Sequence, residues 1–400
     1  MASESWQKNL YTIFIAEFLV IMGFSFVTPF MPLFIQEVGK FTNENAALWA
    51  GIANSAAGIA MFFSAPVWGI IADRWGRKPM VLRAMFGSSI VLALTGLSPN
   101  VYYIIGCRFA QGLLSGTVAA ASALVAGTTP RDKLPYAMGL LMVAVFTGNT
   151  LGPLLGGFVA DNLGYQAAFF ITGALLFMGG VIVSIFVREK FERPPEGQAA
   201  SLGSLLRLAK SREMLPLLVV LFALHAGPQM LTPIISLTIR ELNPGGAAAT
   251  SSGLAFSFMG VVAALSAWVA GRMGQRITMK KMLVFCCLGT GLLYLPPIWA
   301  TTVAQFLIFI ALMGLLKGGI MTSSNTLISL SAPPTQQGIA YGLAQSANSL
   351  GGGLGPLIGG GLAPVIGLRP VFGVTGGVFV LIGLVVARLL KGVSLDKAVE

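Results

Sequence analysis

Glu17, Arg108, His225 and Lys317 are ionisable side chains set inside long apolar runs. A charge in such surroundings is costly, so it faces a water-filled cavity or a partner and marks a path for ions or substrate. Glu17 lies roughly 11 Å into its run at ~1.5 Å per residue. It is the one carboxylate deep within any run. It can exchange a proton or receive a cationic group, and competition between the two would couple one flow to the other. Arg108 lies near the far end of its run, where the plainer alternative is a guanidinium reaching out to the interface. Lys317 suits an anionic group or balances Glu17. His225 can change charge near neutral pH, or serve only as a satisfied interior side chain. Asn149, Gln229, Asn325, Gln345 and Asn348 are candidate polar groups of a cavity. No nucleophile, base and metal-ligand set converges, so no catalytic residues and no metal site are expected. Cys107, Cys286 and Cys287 sit in apolar runs and read as small apolar fillers rather than a disulfide frame.

A second cluster is GIIADRWGRKPMVL, starting at Gly69. Asp73, Arg74, Arg77 and Lys78 crowd a short loop. Gly69 and Gly76 are spaced to let a tight turn meet packed helices. A third stretch has almost no chemistry and much geometry. In GNTLGPLLGG, Gly148, Gly152 and Gly156 fall four apart on one helix face, with Pro153 and Gly157 beside them. A face without side chains lets a neighbouring backbone approach, as helices do in lipid. Pro153 removes one ladder hydrogen bond and bends the helix.

The elements that must position these groups follow from composition. Hydrophobic residues make up 55% of 400 and charged residues 10%, against roughly 25% charged in soluble domains. Crossings of ~20 apolar residues are expected at 9–35, 49–71, 80–97, 101–126, 135–159, 166–187, 215–237, 252–270, 282–300, 305–328, 339–362 and 370–389. The first is read as a retained helix rather than a removed signal. Gly152-Pro153 recurs as Gly355-Pro356, about 200 residues on, a repeat that marks a doubled unit. The same offset carries Gly139 to Gly342, Gly164 to Gly367 and Thr172 to Thr375. The expected fold is therefore an all-α integral membrane protein of twelve transmembrane helices in two pseudo-symmetric six-helix bundles. Residues 1–188 form the first bundle, 189–214 a cytoplasmic linker and 215–400 the second bundle. Part of the linker, 201–212, has the pattern of an amphipathic surface helix.

The net charge of +11 does not point to nucleic acid. When loops are assigned alternately to two sides, nearly all Lys and Arg fall on one. Only Lys40, Arg240 and Arg369 fall on the other. That bias places both termini in the cytoplasm of a multi-pass cell-membrane protein. The glycine runs lack the preceding strand of a dinucleotide loop, and no phosphate loop with Gly-Lys-Ser/Thr exists.

The pattern G-x-x-x-D-R-x-G-R-K in 69–82 resembles the signature loop of the major facilitator superfamily. RFAQGLLSG at 108–116 resembles that family's fourth-helix motif, and 148–157 its fifth-helix antiporter motif. The resemblance covers the whole chain and is strongest to the twelve-helix drug:proton class. It implies that Asp73, Arg74 and Arg77 act in a charge relay at the cytoplasmic gate, with Asp73 meeting a helix start near Gly338. It links Arg108 to proton transfer and Gly148–Gly157 to antiport. It implies a monomer in the lipid bilayer that exports lipophilic or cationic small molecules, driven by the proton gradient with no cofactor. A carrier for a single metabolite, such as a sugar or amino-acid derivative, is the alternative.

Overall fold

An apolar run in lipid has no water to satisfy its backbone, so it must close its hydrogen bonds within itself as a helix. The computed structural model describes residues 2–189, 214–273, 277–330 and 337–389. Among these, all regular secondary structure is helical. The helices are α1 (Ala2–Val27), α2 (Met31–Gly39), α3 (Asn43–Trp75), α4 (Arg77–Gly96), α5 (Val101–Leu114), α6 (Thr117–Thr128), α7 (Leu134–Leu163) and α8 (Tyr165–Phe186). They continue as α9 (Met214–Met230), α10 (Thr232–Leu242), α11 (Ala248–Met273), α12 (Met279–Leu293), α13 (Val303–Leu330), α14 (Gln337–Ile366) and α15 (Pro370–Leu389). They supply 12 spans long and apolar enough to cross a membrane. Large apolar side chains such as Phe63, Tyr102, Leu265, Phe285 and Ile308 point outward, a surface that suits lipid and not water. The linker and its surface helix lie outside the described residues.

The described residues fall into two compact units. The first comprises 2–42, 52–189 and 245–257. The second comprises 43–51, 214–244, 258–273, 277–330 and 337–389. The first turns of α3 thus group with the second unit, and the first turns of α11 with the first.

Within the first unit α1 packs on α7 and α8, and α4 packs on α8 and α5. Within the second, α9 packs on α14 and α15, and α12 packs on α15 and α13. The same scheme is therefore built twice. Its contacts repeat as well. A Cβ placed on Gly148 would fall 2.9 Å from Met22 N, and one on Gly152 would fall 2.7 Å from Ser25 Cβ. Gly156 lies against the Phe26 backbone. In the second unit Gly351, Gly355 and Gly359 meet Phe222, Ala226 and Met230 in the same way. Gly157 abuts Ala249 and Gly253 abuts Pro153; Gly360 abuts Ala47 and Gly51 abuts Pro356. Each pair brings two backbones into contact, which in lipid supplies the dispersion contacts that hold helices together. α7 runs unbroken through Pro153.

Four expected crossings are interrupted: 215–237 breaks at Leu231 between α9 and α10, 282–300 leaves α12 after Leu293, and 9–35 and 101–126 break as follows. The chain after α1 stops at Val27 and resumes as α2, so the run 9–35 is not one helix. The fourth crossing breaks between α5 and α6, where Gly116 has φ 110°. An L side chain is strained there and glycine is not. The break frees carbonyls that other helices satisfy. Ser64 Oγ donates to Gly112 O (3.2 Å), Trp68 Nε1 to Leu113 O (2.7 Å) and Arg83 Nη2 to Ser115 O (3.0 Å).

Candidate functional site

Glu17 is fully buried on α1 (0% exposed). Among the described residues neither carboxylate oxygen has a well-formed hydrogen bond, and the Thr117 side chain of α6 is the polar group that faces it. Arg108 does not reach out to the interface. Its Nη1 donates to Gln111 Oε1 and its Nη2 to Asn54 Oδ1, both at 2.6 Å. Two neutral amides thus clamp the guanidinium between α5 and α3. Charge-assisted bonds of this length are strong in a low-dielectric interior. Glu17 and Arg108 form no ion pair. Asn149 Oδ1 accepts from Ser25 Oγ at 2.6 Å, so this amide ties α7 to α1 rather than standing free.

The charged loop splits into parts. Gly76, at φ 97°, is the turn between α3 and α4. Among the described residues nothing lies within 4 Å of a notional Cβ on Gly69, and the side chains at the helix start near Gly338 lie outside the described residues. Asp73 and Arg74 lie in the last turns of α3, and their side chains lie outside the described residues. Arg77 and Lys78 open α4, where the first N–H groups of a helix lack partners. Glu189 supplies them. Its carboxylate accepts from Arg77 N (2.9 and 3.0 Å) and from Lys78 N (2.8 Å). Lys78 Nζ returns the favour at the end of α8, donating to Ser184 O (2.8 Å) and Val187 O (2.7 Å). An anion at a helix start and a cation at a helix end both match the macrodipole. Asn9 completes the clasp by bonding both backbone groups of Arg188, at 2.8 and 3.1 Å. Arg77 Nη1 donates to Ala123 O at 2.9 Å. Arg83 lies in α4, its guanidinium 3.8 Å from the centre of the Trp68 ring.

In the second unit, His225 and Gln229 lie one turn apart on α9, facing Gly352 of α14. Thr232 Oγ1 donates to Gln229 Oε1 at 3.2 Å. Lys317, on α13, lies within electrostatic reach of His225. Gln345 is exposed on α14, and the Asn325 side chain lies outside the described residues. At the loop ends, the Asp161 carboxylate accepts from Ala249 N (3.3 Å) and Thr250 N (2.6 Å), capping α11. Ser257 Oγ donates to Thr150 O at 2.6 Å.

Sequence reasoning missed Asn54, Glu189, Asp161 and the Trp68–Arg83 pair. Asp161 caps a helix through Ala249 N, 88 positions further along the chain, so no local capping pattern announces it. The others likewise depend on distant partners and carry no local pattern.

The sequence pattern of the Major Facilitator Superfamily matches residues 13–249 and 217–398. The chain is 33% identical over 377 residues to the multidrug resistance protein MdtG of Salmonella arizonae, covering 94% of this chain and 93% of that one. It is 33% identical over 376 residues to an MdtG of Escherichia coli, covering 94% and 92%. Among solved structures, a mutant of the nucleoside transporter NupG superposes with TM-score 0.82 at 13% identity, covering 96% of this chain and 100% of that one. A bacterial homologue of the lysosomal transporter Spinster, inward-facing and occupied, gives 0.79 at 14% identity, covering 95% and 96%. The human organic anion transporter MFSD10 gives 0.68 at 19% identity, covering 95% and 99%.

Proposed function

Because the chain belongs to the Major Facilitator Superfamily, we propose that it exports lipophilic drugs in exchange for protons by alternating access. It is a multi-pass membrane transporter and not an enzyme. The multidrug character of its MdtG relatives supports the drug reading. The observation that carries proton coupling is Glu17: an acid fully buried in an apolar crossing, with no well-formed hydrogen bond to either oxygen among the described residues and the Thr117 side chain as its polar neighbour. A charge there is costly, so the proton on Glu17 is tied to conformation. A step that wets or pairs the carboxylate changes its protonation, and that is what exchange requires. Arg108, held by two neutral amides, keeps a fixed positive charge in the same unit.

The glycine faces on α7 and α14 act as smooth bearings in this reading. Asp73, Arg74 and Arg77 form the cytoplasmic gate, and the Glu189 clasp on α4 supports it by fixing the loop that carries them. The carrier works as a monomer in the cell inner membrane with both termini in the cytoplasm. It uses the proton gradient, no cofactor and no nucleic acid.

Purified carrier in liposomes under an imposed pH gradient tests this. Glu17→Gln keeps the shape and removes the exchangeable proton. Gradient-driven dye accumulation should fall about tenfold or more, with dye binding unchanged, a loss confined to the coupling step. Gradient-driven accumulation at the native rate in Glu17→Gln would reject the assignment. Transport confined to one metabolite, across a panel of unrelated dyes, would make this a dedicated carrier instead.

A further inference from the structure

The other interior cations among the described residues come with acceptors. Arg108 has two amide oxygens, Arg83 has Ser115 O and the Trp68 face, and Lys78 has two carbonyls. Lys317 is the exception. It sits halfway along α13, a 28-residue helix with no other charge, and its ammonium makes no hydrogen bond and no ion pair among the described residues. The sequence offers little to pair it with, since no Asp or Glu follows Glu241 until Asp396. Glu241 is taken by Arg369 at 3.4 Å.

The neighbours of Lys317 sharpen the point. α9, α13 and α14 pack together in the second unit. His225 projects from α9 and is exposed. It makes no hydrogen bond among the described residues, and Lys317 lies within its electrostatic reach. A Cβ on Gly352 would sit 3.6 Å from His225 Cδ2 and Nε2 and 3.9 Å from Gln229 Nε2, so the bare backbone of α14 forms a floor under both side chains. The Gln229 carbonyl is already engaged by Thr232. That leaves its NH₂ end, which only donates. His225 and Gln229 thus share the floor at Gly352, the Lys317 charge is felt at His225 from a helix packed against theirs, and among the described residues no carboxylate pairs with any of them. A lysine charge with two further donors nearby and no carboxylate among the described residues to balance it, kept within an apolar crossing at such cost, suits an anion.

We infer that Lys317, His225 and Gln229 form a subsite for the acidic head group of an otherwise lipophilic substrate, a carboxylate in the first instance. The inference rests on the drug-export reading and narrows it to amphiphilic acids. Lys317 supplies the charge. His225 and Gln229 supply direction, and the apolar faces of α9 and α13 take the rest of the molecule. An anionic phospholipid head group shares this chemistry and is the rival occupant.

The test is binding to the purified full chain in phosphatidylcholine nanodiscs, followed by fluorescence anisotropy. The probes share one skeleton: fluorescein as the carboxylate, its methyl ester, and a rhodamine cation. The carboxylate should bind about tenfold tighter than the ester, the scale of one charge-assisted contact. Lys317→Gln should erase that preference and leave the ester unchanged, Lys317→Arg should keep it, and His225→Gln should reduce it. Equal affinity for carboxylate and ester would overturn the inference, as would tighter binding of the cation, no binding of the carboxylate, or equal loss for both probes in Lys317→Gln. Displacement of the dye when phosphatidylglycerol is added assigns the site to lipid and also overturns it. Should Lys317→Gln fail to fold, His225→Gln and Lys317→Arg give the same comparison. The binding preference stands or falls apart from proton coupling. A carboxylate preference without gradient-driven export refutes the export reading alone.

Discussion

Single residues in this protein do most of their work by answering unpaired helix ends. Glu189 is the clearest case, because one carboxylate caps the start of α4 with bonds to Arg77 N and Lys78 N. Glu189→Gln keeps the size, removes the charge and leaves one acceptor oxygen. It should lower stability by about 1 kcal/mol, the usual worth of a cap, read as an earlier thermal unfolding midpoint in detergent. An unchanged midpoint would show that the clasp through Lys78 and Asn9 suffices alone. The sequence made some residues conspicuous and hid others for a physical reason. Glu17, Arg108 and Lys317 stand out because a charge in an apolar run is rare. Asn54 and Glu189 do not, since an amide in a helix and a glutamate at the edge of a charged linker look ordinary. Their importance comes only from folding. Asn54 is 54 positions from the guanidinium it holds, and Glu189 is 112 from Arg77.

Whole helices were more legible than their interruptions. Gly148, Gly152 and Gly156 share a face by arithmetic alone, and that face meets α1 so closely that no side chain fits. Gly152→Ala should therefore push α7 from α1 and cost about 1–3 kcal/mol, as overpacking does. Gly361→Ala, on α14 with nothing within 4 Å, is the control, and should be neutral or slightly stabilising through helix propensity. Thermal unfolding of the two purified variants, followed by tryptophan fluorescence, separates them. Equal midpoints would contradict the close-packed face. The break between α5 and α6 was not visible in RFAQGLLSG, where Gly112 and Gly116 read equally well as small residues of a packed helix face. A chain can leave a helix inside lipid only where something else takes its carbonyls. Here the takers are Ser64 and Trp68 on α3 and Arg83 on α4. The cause of the break lies on other elements.

At the scale of the whole molecule, the doubled sequence is matched by doubled packing, down to the pairs Gly157–Ala249 and Gly360–Ala47. Repeat spacing revealed this because backbone contact tolerates only glycine, so the same positions were constrained in both copies. Orientation is set by different physics. A helix pair inserts with its cationic loops on the cytoplasmic side, and Arg77, Lys78, Lys133, Arg188, Arg272, Lys280 and Lys281 all fall at one set of helix ends. The opposite ends carry Lys40, Arg240 and Arg369, and the last of these is paired with Glu241. Each crossing must reverse direction, so twelve of them return the chain to the side on which it began. A fluorescent protein fused after Glu400 should therefore fold and emit in cells, as it does only in the cytoplasm. Alkaline phosphatase inserted after Gly245, in the turn between α10 and α11, should be active, as it is only outside. A dark C-terminal fusion together with an inactive phosphatase would mean the opposite orientation. That result would overturn the placement by charge bias and leave the direction of exchange unchanged, since the gradient and not the orientation of the carrier decides which way an antiporter runs.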